Sequence, residues 1–359
     1  MTSKQKPAQR AAHITGVGIS CATGTAPAAL FGAVAGNLCC ARPMEGLMVA
    51  PVCPPFVARV HDIPAEIETP QRLSLLVQDA LFQACQTLAN VSALSRLLVV
   101  TLLSSDLDPD QQQSTFEEFD RVIGQAHPLV ENATRRIHTV HQGSVKELAS
   151  ILDEFSGGTW DAILFGGVDC LTGQRTLLEL AEGGHCFTEH FPEGIIPGEA
   201  AAYVILTHSA SPESPCITAI GHAAEHHSGQ ALHQEMTGLA TAVRNTLTTS
   251  AHTAQKIDCI ISSYPDNATN CIEWYQAQQK VWGEEHLSGR TEELNLHPTL
   301  GDTGTASVPL ALALAWQRFR FEFPAVENIL ICETGKASYR GAVLLQKEQS
   351  NQPKPIRHM

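Results

Sequence analysis

The chain is short of positive charge. Its 359 residues carry 23 Lys and Arg against 37 Asp and Glu, a formal net charge of -14. No basic surface is left over to neutralise a phosphate backbone, which argues against a nucleic-acid partner. Long apolar runs are missing as well: no segment approaches the ~20 apolar residues that a membrane-crossing helix needs. The opening stretch MTSKQKPAQRAAHITGVGIS has basic residues but no apolar core followed by a cleavage site. The expectation is a soluble, cytoplasmic protein with no membrane insertion. Regular cysteine spacing is the third absence. Eleven cysteines, Cys39 and Cys40 adjacent, form no CxxC pair, so neither a zinc ribbon nor a disulfide framework is indicated, and reduced thiols are expected.

What is present is a globular composition, 43% hydrophobic, enough for one large core or two fused domains. HITGVGIS reads as a strand closed by glycines, and APAALFGAVAGN as a short helix ended by Gly36-Asn37. After a Pro-rich stretch (Arg42 to Pro70) come the apolar-periodic helix PQRLSLLVQDALFQACQTLA and the buried strand RLLVVTLLSS. The polar DPDQQQSTFEEFD fits a surface helix or loop. Next are the strand RRIHTV, a helix from Gln142 to about Phe155, and the strand DAILFGGVDCL. EGIIPGEAAAYVIL is expected to be a hairpin turning at Pro197-Gly198.

A Ser/Pro linker, THSASPESP, separates this half from a second in which strands and helices follow in the same order. Such a recurrence fits a duplicated α/β architecture, each half covering a face of the other. We therefore divide the chain into halves 1–210 and 211–346, and expect the polar tail 347–359 to be disordered.

Several chemical motifs compete with plainer readings. HAAEH, His222 to His226, fits a zinc-peptidase pattern, but that pattern needs a helix to set both histidines on one face, and here it follows a strand in an expected loop. No metal or cofactor is expected. Gly16 and Gly18 lack the third glycine of a dinucleotide fingerprint and fit a tight strand-to-helix turn. Cys170, Cys186 and Cys271 sit at no strand-to-helix start and read as buried or incidental thiols. His141, by contrast, falls at the turn between RRIHTV and the following helix, where a side chain projects into whatever pocket lies beyond the helix start.

Five stretches, in order along nearly the whole chain, resemble the β-ketoacyl synthase branch of the thiolase fold: HITGVGISCATGTAPAALFGAVAGN, DAILFGGVDCL, EGIIPGEAAAYVIL, LGDTGTASVPLALALA and ILICETGKASYRGAVLL. The resemblance implies two αβα halves stacked as a five-layer αβαβα sandwich. It also implies where a ketosynthase's groups would fall. The nucleophilic cysteine's place is taken by His141, the first histidine's by Ser263 or Tyr264, the second histidine's by Asp302 after Gly301, and the supporting lysine's by His297. In the last glycine-rich loop stand Lys336, Tyr339 and Arg340. Condensation by the family's usual mechanism is therefore not expected. An imidazole at a helix N-terminus has its cationic form disfavoured, and acyl-imidazoles hydrolyse easily, so His141 does not replace a thiolate as an acyl carrier.

Two functional readings follow. In the first, the chain is a non-catalytic accessory or interaction subunit: a homodimer or a heterodimer with an active ketosynthase-fold protein, as chain-length factors are, with an acyl carrier protein as a further partner. LGDTGTAS with the degenerate SSYPDN segment also resembles ketosynthase-like proteins linked to type VI secretion effectors, which makes a secreted effector the alternative partner. In the second, the chain is an acyltransferase, hydrolase or decarboxylase acting on acyl-thioesters with His141 as base and Tyr264 and Asp302 converging on it. Against convergence, Asp302 can equally cap the backbone that follows it, and Tyr264 can fill the space of a lost substrate. A pocket blocked by Lys336, Tyr339 and Arg340 would favour the first reading, and an open one reaching His141 the second.

Overall fold

Successive strand residues point to opposite faces, both of them buried, and this sets the layers. In a computed structural model, which describes residues 12–44, 46–49, 53–88, 95–104, 109–140, 143–209, 214–226, 235–264, 268–283, 291–321, 323–334 and 338–347, the first half runs as follows. It contains β1 (Ala12–Cys21), α1 (Pro27–Ala35), the short pair β2 (Arg42–Pro43) and β3 (Phe56–Val57), α2 (Thr69–Leu88), β4 (Leu97–Ser104) and α3 (Pro109–Ala126). Then come α4 (Pro128–Glu131), β5 (Thr134–Val140), α5 (Ser144–Ser156), β6 (Ala162–Cys170), α6 (Gln174–Glu182) and β7 (Glu199–Thr207). The second half contains β8 (Pro215–Ala224), α7 (Gly238–Thr249), β9 (Cys259–Ser262), α8 (Ala268–Trp282), β10 (Glu292–Asn295) and α9 (His297–Leu300). It closes with α10 (Ser307–Arg320), β11 (Asn328–Glu333) and β12 (Tyr339–Lys347).

The strands line up as β10-β9-β11-β12-β8-β1-β7-β6-β4-β5. Each run of five has the same internal order, third-second-fourth-fifth-first, and in each the fifth strand, β7 or β12, is antiparallel to both its neighbours. Among the described residues the two runs pair only through Ala12 opposite Ile217 and His13 opposite Cys216, so they behave as two sheets touching at a corner. One face of both sheets packs on α5 and α10 through residues such as Leu98, Phe165, Val204, Ile261, Ile331 and Val343. The opposite face of the first sheet packs under α2 and α3 through Val99, Leu164 and Tyr203, and that of the second under α7 and α8 through Ile260, Leu330 and Leu344. This is the αβαβα sandwich.

The central layer explains an odd helix. SVPLALALAWQRFR lacks a polar stripe, and Val308 to Ala315 are all buried in α10, because a helix held between two sheets has no wet side. β6 and β7 are buried at every position for the same reason.

Three local expectations change. EGIIPGEAAAYVIL is not a hairpin: Ile195 and Pro197 make single bridges to Cys186 and Asp302, and only Glu199–Thr207 is a strand, the one that crosses the sheet between β1 and β6. From Pro109 onward the polar DPDQQQSTFEEFD stretch is a helix, α3, but not wholly a surface one: its Phe119, Val122 and Ile123 are buried on one face. His222 lies on β8, opposite Gly341, and not in a loop; Glu225 just beyond accepts from the Gly238 amide at the start of α7. The tail beyond Lys347 lies outside the described residues.

The glycine-rich GDTGTAS segment is fixed against FGGVDC of β6. Asp169 Oδ2 accepts from the Thr305 amide at 3.0 Å, and Thr305 Oγ1 donates to the Val168 carbonyl at 2.9 Å. Gly304 has φ +49, and a Cβ there would stand 1.9 Å from Asp169 Oδ2, so glycine is required on both counts. This contact locks the start of the central helix to the first sheet.

Candidate functional site

Parallel pairing brings the C-terminal ends of β9, β10 and β11 to one level: Ser262 lies opposite both Asn295 and Cys332. Ser263, Tyr264, His297 and Glu333 follow just beyond that level, and Glu333 reaches the start of the central α5. Asn295 ties two of them together, its Nδ2 donating to the Tyr264 carbonyl at 3.1 Å and its Oδ1 accepting from the His297 amide at 3.2 Å. His297 is buried. Tyr264 leans on Trp274 of α8, ring centroids 6.0 Å apart, and packs against the outer cluster of the second sheet.

Glu333 dominates the site. Its Oε1 accepts from the Ser144 amide at 2.5 Å and its Oε2 from the Val145 amide at 3.0 Å, so the carboxyl occupies the first free N–H groups of α5. Helix N-termini are ready-made anion sites, and this one is filled by the chain itself. The preceding Gly143 has φ +96, and a Cβ there would come within 2.8 Å of Glu333 Oε2. Burial pushes the Glu333 carboxyl up to about 7, against the pull of the two amides, the Ser144 hydroxyl and Arg340.

The other expected positions fall elsewhere. Asp302 Oδ1 accepts from the Gly304 amide at 2.9 Å, and its backbone pairs with Ile196 and Gly198, so its carboxylate serves the turn into Gly304–Ala306. Arg340 is not a pocket lining. It is 1% exposed and forks onto Glu273 of α8, also buried, at 2.5 and 3.1 Å. Tyr339, partly exposed, lies 4.0 Å under the Lys146 ammonium and near His222. His141 and Lys336 lie outside the described residues.

Sequence reading missed Glu333, although a signal was there. NILIC is a buried run, and a lone carboxylate ending it before a glycine loop needs a partner. Lys146 and Glu273 were missed too, because nothing in the local pattern of α5 or α8 points to their partners, Tyr339 and Arg340, on a distant strand.

Candidate substitute nucleophiles are poorly placed. Burial pushes the Cys170 thiol up to about 12, reinforced by neighbouring Glu199, and Cys186 up to about 11. Among the described residues no group of three or more His, Cys, Asp or Glu could hold a metal ion, and no helix is long and apolar enough to cross a membrane. A cavity of about 780 Å³ lies at the opposite strand ends, lined by His13, His252, Asp258 and Lys256 among others, and touches none of the expected site residues.

No protein-family model matches the chain, and no curated protein matches it. Solved structures do. A type II polyketide acyl carrier protein in complex with its ketosynthase, AntDE:AntF, superposes with a TM-score of 0.74 at 12% identity, over 94% of this chain and 99% of that one. The ketosynthase ApeO in complex with its chain length factor ApeC from Xenorhabdus doucetiae gives 0.72 at 16% identity, over 96% and 99%. A β-ketoacyl synthase from Burkholderia phymatum gives 0.70 at 15%, over 95% and 100%. The chain thus has the thiolase-like fold of the β-ketoacyl synthases. At these identities the likeness carries the fold and not the activity.

Proposed function

We propose that the protein is a catalytically degenerate ketosynthase-like subunit that works through a partner of the same fold. One observation carries this reading: the Glu333 carboxyl sits on the Ser144 and Val145 amides, at the start of the helix where the resemblance puts a ketosynthase's nucleophile. A site that binds its own carboxyl is poorly suited to gathering an acyl group or a developing oxyanion there, since both need the same donors. The Arg340–Glu273 pair and the turn role of Asp302 add to it, as neither side chain is directed to substrate chemistry.

The edge of the sheet supports the partner. β5 ends the strand order and is half-buried along Arg135 to Val140, a strand edge that pairing with a second chain would cover. Solved relatives in fold include a ketosynthase with its chain length factor and a ketosynthase with its acyl carrier protein. Of the partner classes considered, a ketosynthase-fold chain, as homodimer or heterodimer, is the one this edge favours, with a carrier protein or a secreted effector as additional clients. We place the protein in the cytoplasm and the boundary between its halves near residue 210.

The test combines intact-protein mass spectrometry with size analysis after incubation with acyl- and malonyl-loaded carrier protein, on wild type and His141→Ala. Both proteins are expected to stay unmodified and leave the carrier untouched, while eluting as a dimer. Acylation or carrier turnover that disappears in His141→Ala would establish the enzyme reading instead.

A further inference from the structure

The cavity at the strand ends opposite Glu333 has a regular wall. Asn328, Gln346, Cys216 and His13 stand opposite one another in turn across β11, β12, β8 and β1, so their side chains form a row on one face. It is the face under α7 and α8, since Leu330 and Leu344, two residues along the same strands, pack in that cluster. α7 stops at Thr249, and the row continues into a cavity of about 780 Å³ that His252 and Lys256 also line. His13 and Cys216 are one of the two pairs that join the sheets, so the cavity lies at the junction of the halves, a preferred position of small-molecule sites.

Two observations say that something belongs there. His13 is only 6% exposed, yet neither ring nitrogen has a hydrogen-bond partner among the described residues: Nδ1 is enclosed, and Nε2 is open. A buried side chain with no partner is uncommon in a native fold and marks a place where a bound group completes the set. The second observation is charge. Lys256 and Lys347 line the cavity, are exposed and make no ion pair among the described residues, in a chain of net charge -14. Of the two carboxylates in the lining, Asp258 is taken up by the backbone, its Oδ2 accepting from the Glu327 and Asn328 amides at 2.9 Å each. The other, Glu327, is exposed, where salt screens it.

Two free ammoniums and an unpartnered imidazole suit a dianion with several acceptor oxygens, which is what a phosphate group presents. The volume is far more than one phosphate fills and lies within the range of small-molecule pockets, about 300–1,000 Å³, so the rest of the ligand is organic. The lining beside it is polar: Gln346 Nε2 donates to Asn328 Oδ1 at 2.8 Å and lies 3.4 Å from His252 Nε2. Side-chain amides and an imidazole match hydroxyl groups and not an apolar chain. We propose that this cavity binds a small phosphate ester with a hydroxylated organic part, its phosphate held by His13, Lys256 and Lys347. The site is remote from the α5 N-terminus, and it makes the junction of the two halves a metabolite site.

Isothermal titration calorimetry of the full chain tests this with ribose 5-phosphate and, as its counterpart without the phosphate, ribose. The proteins are wild type, Lys256→Gln, Lys347→Gln and His13→Gln. Saturable binding of ribose 5-phosphate at one site per chain, tighter than about 1 mM, is expected, with none for ribose. Each lysine variant should bind about tenfold more weakly, through loss of one charge-assisted hydrogen bond. Both lysines are exposed, so these two variants decide even where His13→Gln does not fold. Absence of saturable binding to wild type, equal binding of ribose, or wild-type affinity in both lysine variants overturns the proposal. None of these results bears on the accessory reading, which stands or falls on carrier acylation.

Discussion

Arg340 and Glu273 form a buried ion pair on which a stability prediction can be worked through. Both side chains are 2% exposed, and the guanidinium forks onto the carboxylate. Removing one partner of such a pair strands a charge, at about 3–5 kcal/mol. The two sides differ: a guanidinium cannot shed its proton, whereas a carboxyl can neutralise itself. Glu273→Gln is therefore expected to cost about 4 kcal/mol and Arg340→Met less, about 2 kcal/mol. The double variant, with no charge left to strand, should lie closer to wild type than Glu273→Gln does, by about 2 kcal/mol. At about 2.1 cal/mol/K per residue, 359 residues give an unfolding entropy near 0.75 kcal/mol/K, so Glu273→Gln lowers Tm by about 5 °C. Calorimetry and urea unfolding of the four proteins measure these values. A loss below about 1 kcal/mol in Glu273→Gln, or a double variant equal to the sum of the singles, refutes the argument that the pair is structural.

Gly304→Ala should cost more than about 3 kcal/mol or abolish soluble expression, since its Cβ meets Asp169 Oδ2 at 1.9 Å and φ is +49. Gly24→Ala, with φ +95 but open space around it, should cost only about 1 kcal/mol, which thermal unfolding of the pair checks. With a thiol-reactive chromophore at pH 8, the exposed Cys39 and Cys271 should label first, and Cys85, Cys170 and Cys332, each pushed up to about 12 by burial, only on unfolding. Fast labelling of Cys170 in the native protein would make it a nucleophile candidate again.

The legible parts of this fold are those that local chemistry dictates. The short apolar run LLVVTLLS reads as a buried strand, and the amphipathic SVKELASILDEF as a helix. The order of those elements repeats because each half solves the same burial problem. Positions within the site were only partly legible. The sequence puts Ser263 and Tyr264 after one strand and His297 after another, and parallel pairing of β9 with β10 sets those two strands side by side. It does not say that Asp302 turns back to the Gly304 amide, or that Arg340 turns toward α8.

What the sequence determined by itself, then, is the succession of strands and helices, because that depends on residue identity and on short spacings. Which carboxyl meets which amide was decided only by tertiary structure. Glu333 reaches the α5 N-terminus across 189 residues of chain, through the register of a sheet and the closeness that Gly143 and Gly341 permit. A long-range contact of that kind leaves no periodic trace, since the free energy that selects it comes from packing two distant elements against each other.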